Sequence, residues 1–94
     1  MKESRLESKA CRFVKQCGGL ALKWVNPGWT GVPDRIMILP KGKIIFVEFK
    51  KPGTADGLSP RQKKVHSELS KRGCQVWRIS DFDNFVERLR AYGI

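Results

Sequence analysis

A short turn between two apolar runs, Pro40-Lys41-Gly42, constrains the fold of this chain more than any other feature. The proline suits the second position of a type I turn, and the glycine suits the left-handed residue after it. Together they predict a three-residue hairpin loop with a bulge glycine. In that loop Leu39 pairs with Lys43, which fixes the register of the two flanking strands.

This register brings acidic residues together. It places Asp34 opposite Glu48, whereas a two-residue loop would place Asp34 opposite Phe49, on the wrong face of the sheet. Glu48 and Lys50 are two residues apart, so their side chains share a face of an extended strand. Two carboxylates and one ammonium at one point indicate a candidate site for a hard divalent cation and an activated water.

Mg²⁺ takes about six oxygen ligands and usually keeps several waters. Two carboxylates and a backbone carbonyl, that of Phe49, would leave positions for water and phosphate. Lys50 would orient the water or stabilise developing charge. The alternative is a cross-strand surface ion pair, worth a few tenths of a kcal/mol. Glu48 favours function because it follows the apolar run 44–47, where an unused charge is out of place.

The chain is basic throughout. It has 94 residues, enough for one domain over 1–94, and a formal net charge of +10. Such a field favours a polyanion, most simply nucleic acid, over the alternative of a merely solvated basic surface. Three cysteines without CxxC spacing and a single histidine exclude a structural zinc site. Free thiols are typical of a reducing, cytoplasmic compartment, and no apolar run approaches the length of a membrane helix.

The hydrophobic pattern predicts an α/β fold in the order α-β-β-β-α-β-α, with a mixed central sheet flanked by helices. The third and fourth strands are joined by a helical crossover, so they should be parallel with a right-handed connection. Ser80 or Asp81 should cap the last helix. The predicted ranges are helices over 4–17 and 60–72, a last helix after 81, and strands over 20–25, 34–39, 43–50 and 74–79.

Two polar residues near helix starts have two interpretations each. Ser4-x-x-Glu7 matches a capping box, and so does Ser59-x-x-Gln62. Alternatively, Glu7 would supply a further carboxylate to the cation site. Gln62 would instead reach a phosphate or a metal-bound water. The sequence alone does not choose between these roles.

Several residues are candidates for contacting nucleic acid. Trp24 and Trp29 flank a Pro-Gly loop, where aromatic rings can stack on unpaired bases or, more plausibly for Trp24, close the edge of the core. Cations in the first turns of a helix oppose its dipole, which indicates anion binding. The basic candidates are Lys9, Arg12, Lys15, Lys51, Arg61, Lys63 and Lys64.

These residues together resemble the VRR-NUC family of the PD-(D/E)xK nuclease superfamily. The resemblance rests on Glu7, on the stretches 31–35 (GVPDR) and 47–52 (VEFKKP), and on 58–62 (LSPRQ). It implies that Asp34 and Glu48 are metal ligands and that Lys50 is the catalytic lysine. It also implies supporting roles for Glu7, directly or through a water, and for Gln62.

Small stand-alone members of this family look like dimeric Holliday-junction resolvases, whereas members embedded in larger proteins can be flap nucleases. The resemblance therefore implies a Mg²⁺- or Mn²⁺-dependent endonuclease for branched DNA, acting as a homodimer in a bacterial or phage-infected cell. The alternatives are a flap or nicking nuclease of the same fold and a non-catalytic basic DNA-binding module. Candidate dimer surfaces are Trp24, Trp29 and the apolar residues of the first and last helices.

Overall fold

The computed structural model describes residues 2–53 and 57–94. Its elements follow the predicted order, and each strand boundary either matches the predicted one or falls one or two residues inside it. They are α1 (Glu3–Gln16), β1 (Leu20–Lys23), β2 (Arg35–Ile38), β3 (Ile44–Phe49), α2 (Pro60–Lys71), β4 (Gln75–Ile79) and α3 (Phe82–Ala91). The predicted loop over 52–58 lies partly outside the described residues.

The four strands form one mixed sheet in the order β1-β2-β3-β4. The first three strands are antiparallel to one another, and β3 and β4 are parallel, as the crossover predicted. The hairpin register is confirmed, because Arg35 pairs with Val47 and Ile38 pairs with Ile44. The register places even-numbered residues of β2 and β3 on one face of the sheet and odd-numbered residues on the other.

The hairpin loop has the predicted length but a different turn type. Gly42 donates its backbone N–H to the Leu39 carbonyl at 3.1 Å, and Gly42 has φ 78° as expected of the bulge position. Lys41 also takes the left-handed conformation, with φ 69° and ψ 15°. A positive φ after the proline belongs to a type II turn, so the predicted type I turn is wrong. The register survives because the number of loop residues is unchanged.

The predicted start of α1 is also wrong. Lys2 occupies the N-cap position without a side-chain cap, and Ser4 lies inside the helix. A capping box between Ser4 and Glu7 therefore does not form. The other predicted caps are confirmed: Ser59 and Gln62 form a capping box on α2, and the Asp81 side chain accepts a hydrogen bond from the Asn84 backbone on α3.

The core lies between the odd-numbered face of the sheet and helices α1 and α3, and it includes Met37, Ile45, Val47, Phe49 and the buried side chains of both helices. The buried apolar residues of α1 and α3 pack within the chain, so they are not available as the candidate dimer surface. No helix in the described part of the chain has the length and apolar character that crossing a membrane requires.

The opposite face of the sheet is only partly covered, because α2 packs against β4. The remaining part of this face, over β1 to β3, carries apolar side chains, and we call it the open sheet face. Leu20, Leu22 and Ile44 are each roughly half exposed on it. The register gives its members as Leu20, Leu22, Ile36, Ile38, Ile44 and Phe46.

Candidate active site

The free end of the β2–β3 hairpin holds the two predicted carboxylates. Asp34 lies one residue before β2, and its Oδ2 accepts the backbone N–H of Phe49 at 2.9 Å. The Asp34 carbonyl accepts the backbone N–H of Trp24 at 3.1 Å. These bonds fix Asp34 at the end of the ladder, beside Glu48 in β3. The convergence of the acidic pair follows from the hairpin register.

Glu48 is a buried carboxylate whose hydrogen bonding is incomplete. Its side chain is only 3% exposed. Oε2 accepts a hydrogen bond from Gln62 Nε2 at 3.1 Å and lies 3.5 Å from Lys50 Nζ. Oε1 is buried and has no hydrogen-bond partner among the described residues. A buried carboxylate oxygen without a partner is costly, so this atom is a position where a cation or a proton would stabilise the fold.

Gln62 performs the capping role that the sequence predicted, and its side chain also contacts two residues of the candidate site. Its backbone N–H donates to Ser59 Oγ at 3.1 Å, and its Oε1 accepts the Ser59 backbone N–H at 3.0 Å. The same Oε1 accepts a hydrogen bond from Lys50 Nζ at 3.2 Å. Gln62 therefore caps α2 and also orients Lys50 and Glu48 with respect to each other.

The electrostatics of the acidic pair disfavour two negative charges. Burial, together with the neighbouring charge of Asp34, raises the pKa of Glu48 to about 7, and the attraction of Lys50 offsets this only in part. Burial also raises the pKa of Asp34, opposed by the hydrogen bond from the Phe49 backbone. A bound cation would reverse this cost, because it favours the charged form of both groups.

Glu7 approaches the site from α1 but is engaged by an unpredicted partner. Arg35 Nε donates to Glu7 Oε2 at 2.7 Å, and Arg35 NH1 donates to the Ala21 carbonyl at 3.4 Å. The charge of Glu7 also contributes to the raised pKa of Asp34, after burial. No local sequence pattern indicates this ion pair, because its two residues are 28 positions apart on different elements.

The donor set fits a hard divalent cation. Carboxylate oxygens are the ligands that Mg²⁺ and Mn²⁺ prefer, and Mg²⁺ needs only one or two of them because it retains waters. Glu48 Oε1, which has no hydrogen-bond partner in the described part of the chain, supports such a role. Within residues 2–53 and 57–94, however, no three His, Cys, Asp or Glu side chains converge as a metal cluster. Glu7 is thus not gathered with Asp34 and Glu48 in this arrangement.

The two predicted nucleic-acid tryptophans lie in different surroundings. Trp29, 38% exposed, lines a cavity of about 200 Å³ together with Arg61 and Lys64, close to the first turn of α2. Arg61 donates to Thr30 Oγ1, which ties the Trp29 loop to that helix. Trp24 instead packs against Phe46, with ring centroids 5.2 Å apart.

The other basic candidates lie along different surfaces. On α1, Lys9 lies over the Phe82 ring at 4.5 Å, whereas Arg12 and Lys15 are exposed. Lys51 and Lys63 are exposed beside the proposed site and on α2, respectively. Because α1 and α2 pack on opposite faces of the sheet, the predicted basic residues do not all lie on one side of the molecule.

A mixed sheet with an Asp, a Glu and a Lys gathered at a hairpin end defines a PD-(D/E)xK-like nuclease core. Comparisons with known proteins agree. The model of the VRR-NUC domain family matches residues 6–79. A solved structure titled "VRR_NUC domain" shares 33% identity, covers 96% of each chain and superposes with a TM-score of 0.86.

A phage protein is similar as well. "Putative nuclease p44" of Acyrthosiphon pisum secondary endosymbiont phage 1 is 45% identical over 76 residues, which are 81% of this chain and 80% of that protein. The chain belongs to the VRR-NUC family, and it is a nuclease domain.

Proposed function

We propose that this chain is a Mg²⁺- or Mn²⁺-dependent, structure-specific DNA endonuclease that cuts branched DNA, with four-way junctions as its substrate. The observation that carries the proposal is Glu48. It is buried, lies beside a second carboxylate and Lys50, and has one oxygen without a partner among the described residues. Buried carboxylates with raised pKa values cluster at functional sites.

Asp34, Glu48 and the backbone carbonyl of Phe49 would hold the metal, with Glu7 contributing directly or through a water. A bound Mg²⁺ or Mn²⁺ would neutralise charge at the phosphate and lower the pKa of a water. In the hydrolysis that follows, the water oxygen bonds to phosphorus, one phosphorus–oxygen bond to a sugar breaks, and the departing oxygen takes up a proton.

The chain's own residues then have distinct tasks. Lys50 is held by Gln62 Oε1 and Glu48, so its ammonium is fixed where charge develops on the phosphate. Gln62 holds the side chains of this lysine and of Glu48 at fixed positions relative to the start of α2. The remaining DNA contacts are of two kinds. Trp29 would stack on unpaired bases, and basic side chains would contact the phosphate backbone. The backbone contacts are Lys9, Arg12, Lys15, Lys51, Arg61, Lys63 and Lys64.

The proposed enzyme is a single domain over 1–94 that works as a homodimer, because two cuts in a symmetric junction need two sites. The open sheet face is the surface assigned to the second copy. It exposes Leu20, Leu22 and Ile44. None of its six members is charged, although charged residues make up 30% of the chain. A contiguous apolar patch on a small chain is typical of an interface. Sedimentation at micromolar concentration tests this assembly, which Leu22→Lys should dissociate.

A cleavage panel tests the function. Four-way junction, flap, nicked duplex and linear duplex are each incubated with wild-type protein in Mg²⁺, in Mn²⁺ and in EDTA, with Glu48→Gln as the control. Metal-dependent cleavage of the junction is expected. Preference for flaps or nicks would identify a nuclease of the same fold with another substrate. Binding without cleavage in either metal would leave a basic DNA-binding module.

A further inference from the structure

The cavity between the Trp29 loop and the first two turns of α2, which we call the Trp29 cavity, has a volume of about 200 Å³. We propose that it binds one unpaired nucleotide of the DNA and thereby selects substrates that carry such a nucleotide near the cut. The proposal rests on the proposed function, because it adds a specificity-determining pocket beside the same site. The cavity is lined by Gly28, Trp29, Thr30, Arg61, Lys64 and Val65.

The walls of the Trp29 cavity present two kinds of group. Trp29 is 38% exposed, so its ring is open to a flat partner such as a base. Arg61 and Lys64 are exposed cations, and Arg61 lies in the first turn of α2, where the helix dipole also favours an anion. An aromatic face beside two cations matches the base and the phosphate of one nucleotide. A base inside a duplex must leave its stack to reach such a ring, so the cavity favours unpaired nucleotides.

The two walls are held together before any DNA binds. Arg61 NH1 donates to Thr30 Oγ1, which joins the loop to α2. Gly31 has φ 96°, and a Cβ atom there would lie 3.0 Å from the Arg61 carbonyl oxygen, so the loop lies directly against the helix backbone. A guanidinium has five N–H donors, so Arg61 can bind a phosphate without giving up Thr30. A pocket formed in advance binds its ligand at a lower ordering cost.

The Trp29 cavity is attached to the proposed active site on both sides. Gln62 follows Arg61 in α2, and it contacts Lys50 at 3.2 Å and Glu48 at 3.1 Å. On the other side the tryptophan is followed five residues later by Asp34. Five residues span at most about 18 Å of chain, and one DNA strand advances about 3.4 Å per nucleotide in a duplex. A strand with a phosphate at the site therefore passes the cavity within a few nucleotides.

Trp29 also lines a second cavity, of about 350 Å³, farther along α2. Its other lining residues are Glu68, Leu69 and Arg72. Arg72 is already paired with Glu68 at 2.7 Å, and the carboxylate repels a phosphate. The charges therefore favour the Trp29 cavity for the nucleotide. The second cavity supplies a control that borders the same ring.

Two other roles for these side chains predict different results. If Trp29 only holds the loop against α2, another large apolar side chain should replace it. If Lys64 only follows the phosphate backbone, it should contribute equally to the binding of paired and unpaired DNA. A nucleotide pocket instead confines the effects of the ring and of the cation to DNA with an unpaired nucleotide.

The test compares two four-way junctions that are identical except for one unpaired thymine nucleotide at the branch point of one of them. Fluorescence anisotropy in EDTA measures binding without cleavage. Wild-type protein should bind the junction with the unpaired nucleotide more tightly. Trp29→Ala should weaken that binding about 5- to 100-fold, the usual value of one stacked base, and should leave binding of the fully paired junction unchanged. Trp29→Phe should retain most of the preference, and Trp29→Leu should not.

Lys64→Gln extends the test to the phosphate and carries it if Trp29→Ala does not fold. Losing one phosphate contact on a single strand reduces the slope of log K against log salt concentration by about 0.7. This reduction should appear only with the unpaired nucleotide. Arg72→Gln is the matched control, because Arg72 lines the second cavity, and this variant should bind both junctions as wild type does.

Three results would overturn the proposal: equal binding of the two junctions by wild-type protein, a full preference in Trp29→Leu, or an equal change of slope on both junctions in Lys64→Gln. If wild-type protein cuts no DNA in Mg²⁺ or Mn²⁺ but shows the preference and loses it in Trp29→Ala, the proposed function fails and the pocket stands. If wild-type protein cuts junctions and Trp29→Ala keeps the wild-type preference, the pocket alone fails.

Discussion

Two glutamates near cations behave in opposite ways in this protein. Glu68 on α2 is 35% exposed, and it pairs with Arg72 at 2.7 Å and with Lys71 at 3.9 Å. Its hydrogen bond from Arg72 lowers its pKa. Glu48 is 3% exposed and lies 3.5 Å from Lys50, yet burial and Asp34 raise its pKa to about 7.

The difference shows what a cation neighbour can and cannot do for a carboxylate. At Glu68 the solvent and two exposed cations satisfy the charge, and the carboxylate needs no further partner. At Glu48 one lysine does not offset the effects of burial and of a second carboxylate, and one Glu48 oxygen has no partner within residues 2–53 and 57–94. A divalent cation would relieve this unfavourable arrangement, which supports the metal site proposed for Asp34 and Glu48.

Glu48→Gln should have the largest effect. The amide cannot serve as an anionic ligand, so cleavage should fall by more than about 100-fold, beyond the typical loss for a residue that only orients a ligand. Asp34→Asn should behave alike. At neutral pH in EDTA, however, Glu48→Gln should melt no lower than wild type, because it removes a buried charge. Full cleavage by both variants would show that these carboxylates are structural.

Lys50→Ala should reduce the rate of cleavage by about 100-fold, the usual cost of losing one group that stabilises developing charge. Its Mn²⁺ affinity should change far less than that of Glu48→Gln, since Lys50 is not a ligand. Single-turnover cleavage at saturating metal separates the two effects. A Lys50→Ala protein that regains the wild-type rate when metal is raised would contradict this division of roles.

Gln62→Ala should lose both cap and contacts. Loss of a helix cap typically costs about 1 kcal/mol of unfolding free energy, and cleavage should fall by about tenfold because Lys50 and Glu48 lose a shared partner. Ser59→Ala provides the control, since it removes a cap bond but touches neither site residue. Urea unfolding and cleavage rates are measured on both. Equal cleavage rates in the two variants would show that Gln62 caps α2 and has no further role at the site.

The stability of the metal-free protein should depend on pH through Glu48. The folded form keeps a proton on Glu48 up to about pH 7, whereas the unfolded chain loses it near 4.5. The contribution of Glu48 to the free energy of unfolding is therefore fully present below pH 4.5. It falls as the pH rises to about 7, by at most about 1.4 kcal/mol per pH unit. Urea unfolding in EDTA measures this slope. Glu48→Gln should flatten it, and an unchanged slope there would assign the effect to other groups.

Glu68→Gln should have the smallest effect. Its carboxylate and both of its cationic partners are accessible to solvent, so cleavage and Mn²⁺ binding should match wild type and thermal stability should change little. The same assays apply. A marked loss of cleavage in Glu68→Gln would break the contrast between the two glutamates, because it would show that an exposed, satisfied carboxylate matters as much as a buried one.

The sequence predicted those parts of the fold that depend on local chemistry. The three-residue loop gave the register of β2 and β3, and with it the meeting of Asp34 and Glu48. The caps at Ser59 and Asp81 are likewise local. The cap at Ser4 failed because propensity at a helix start is weak, and tertiary contacts decide where α1 begins.

The features that the sequence did not predict depend on long-range packing. The bond from Arg35 to Glu7 joins α1 to β2 and has no periodic signature. The burial of α1 and α3 against the same face, which leaves the open sheet face exposed, depends on how three helices divide between two sides of the sheet. The sequence left capping and a role at the site both open for Gln62, and its contacts with Lys50 and Glu48 depend on how α2 packs near β3.

Calorimetric titration of Mn²⁺ into wild-type protein, Glu48→Gln and Glu68→Gln tests the central claim most directly, because it needs neither DNA nor turnover. The account predicts binding to wild type and to Glu68→Gln with the same affinity, and a loss of more than about 100-fold in Glu48→Gln. Equal Mn²⁺ affinity in all three proteins would contradict the account, because Glu48 Oε1 would then not be a metal ligand.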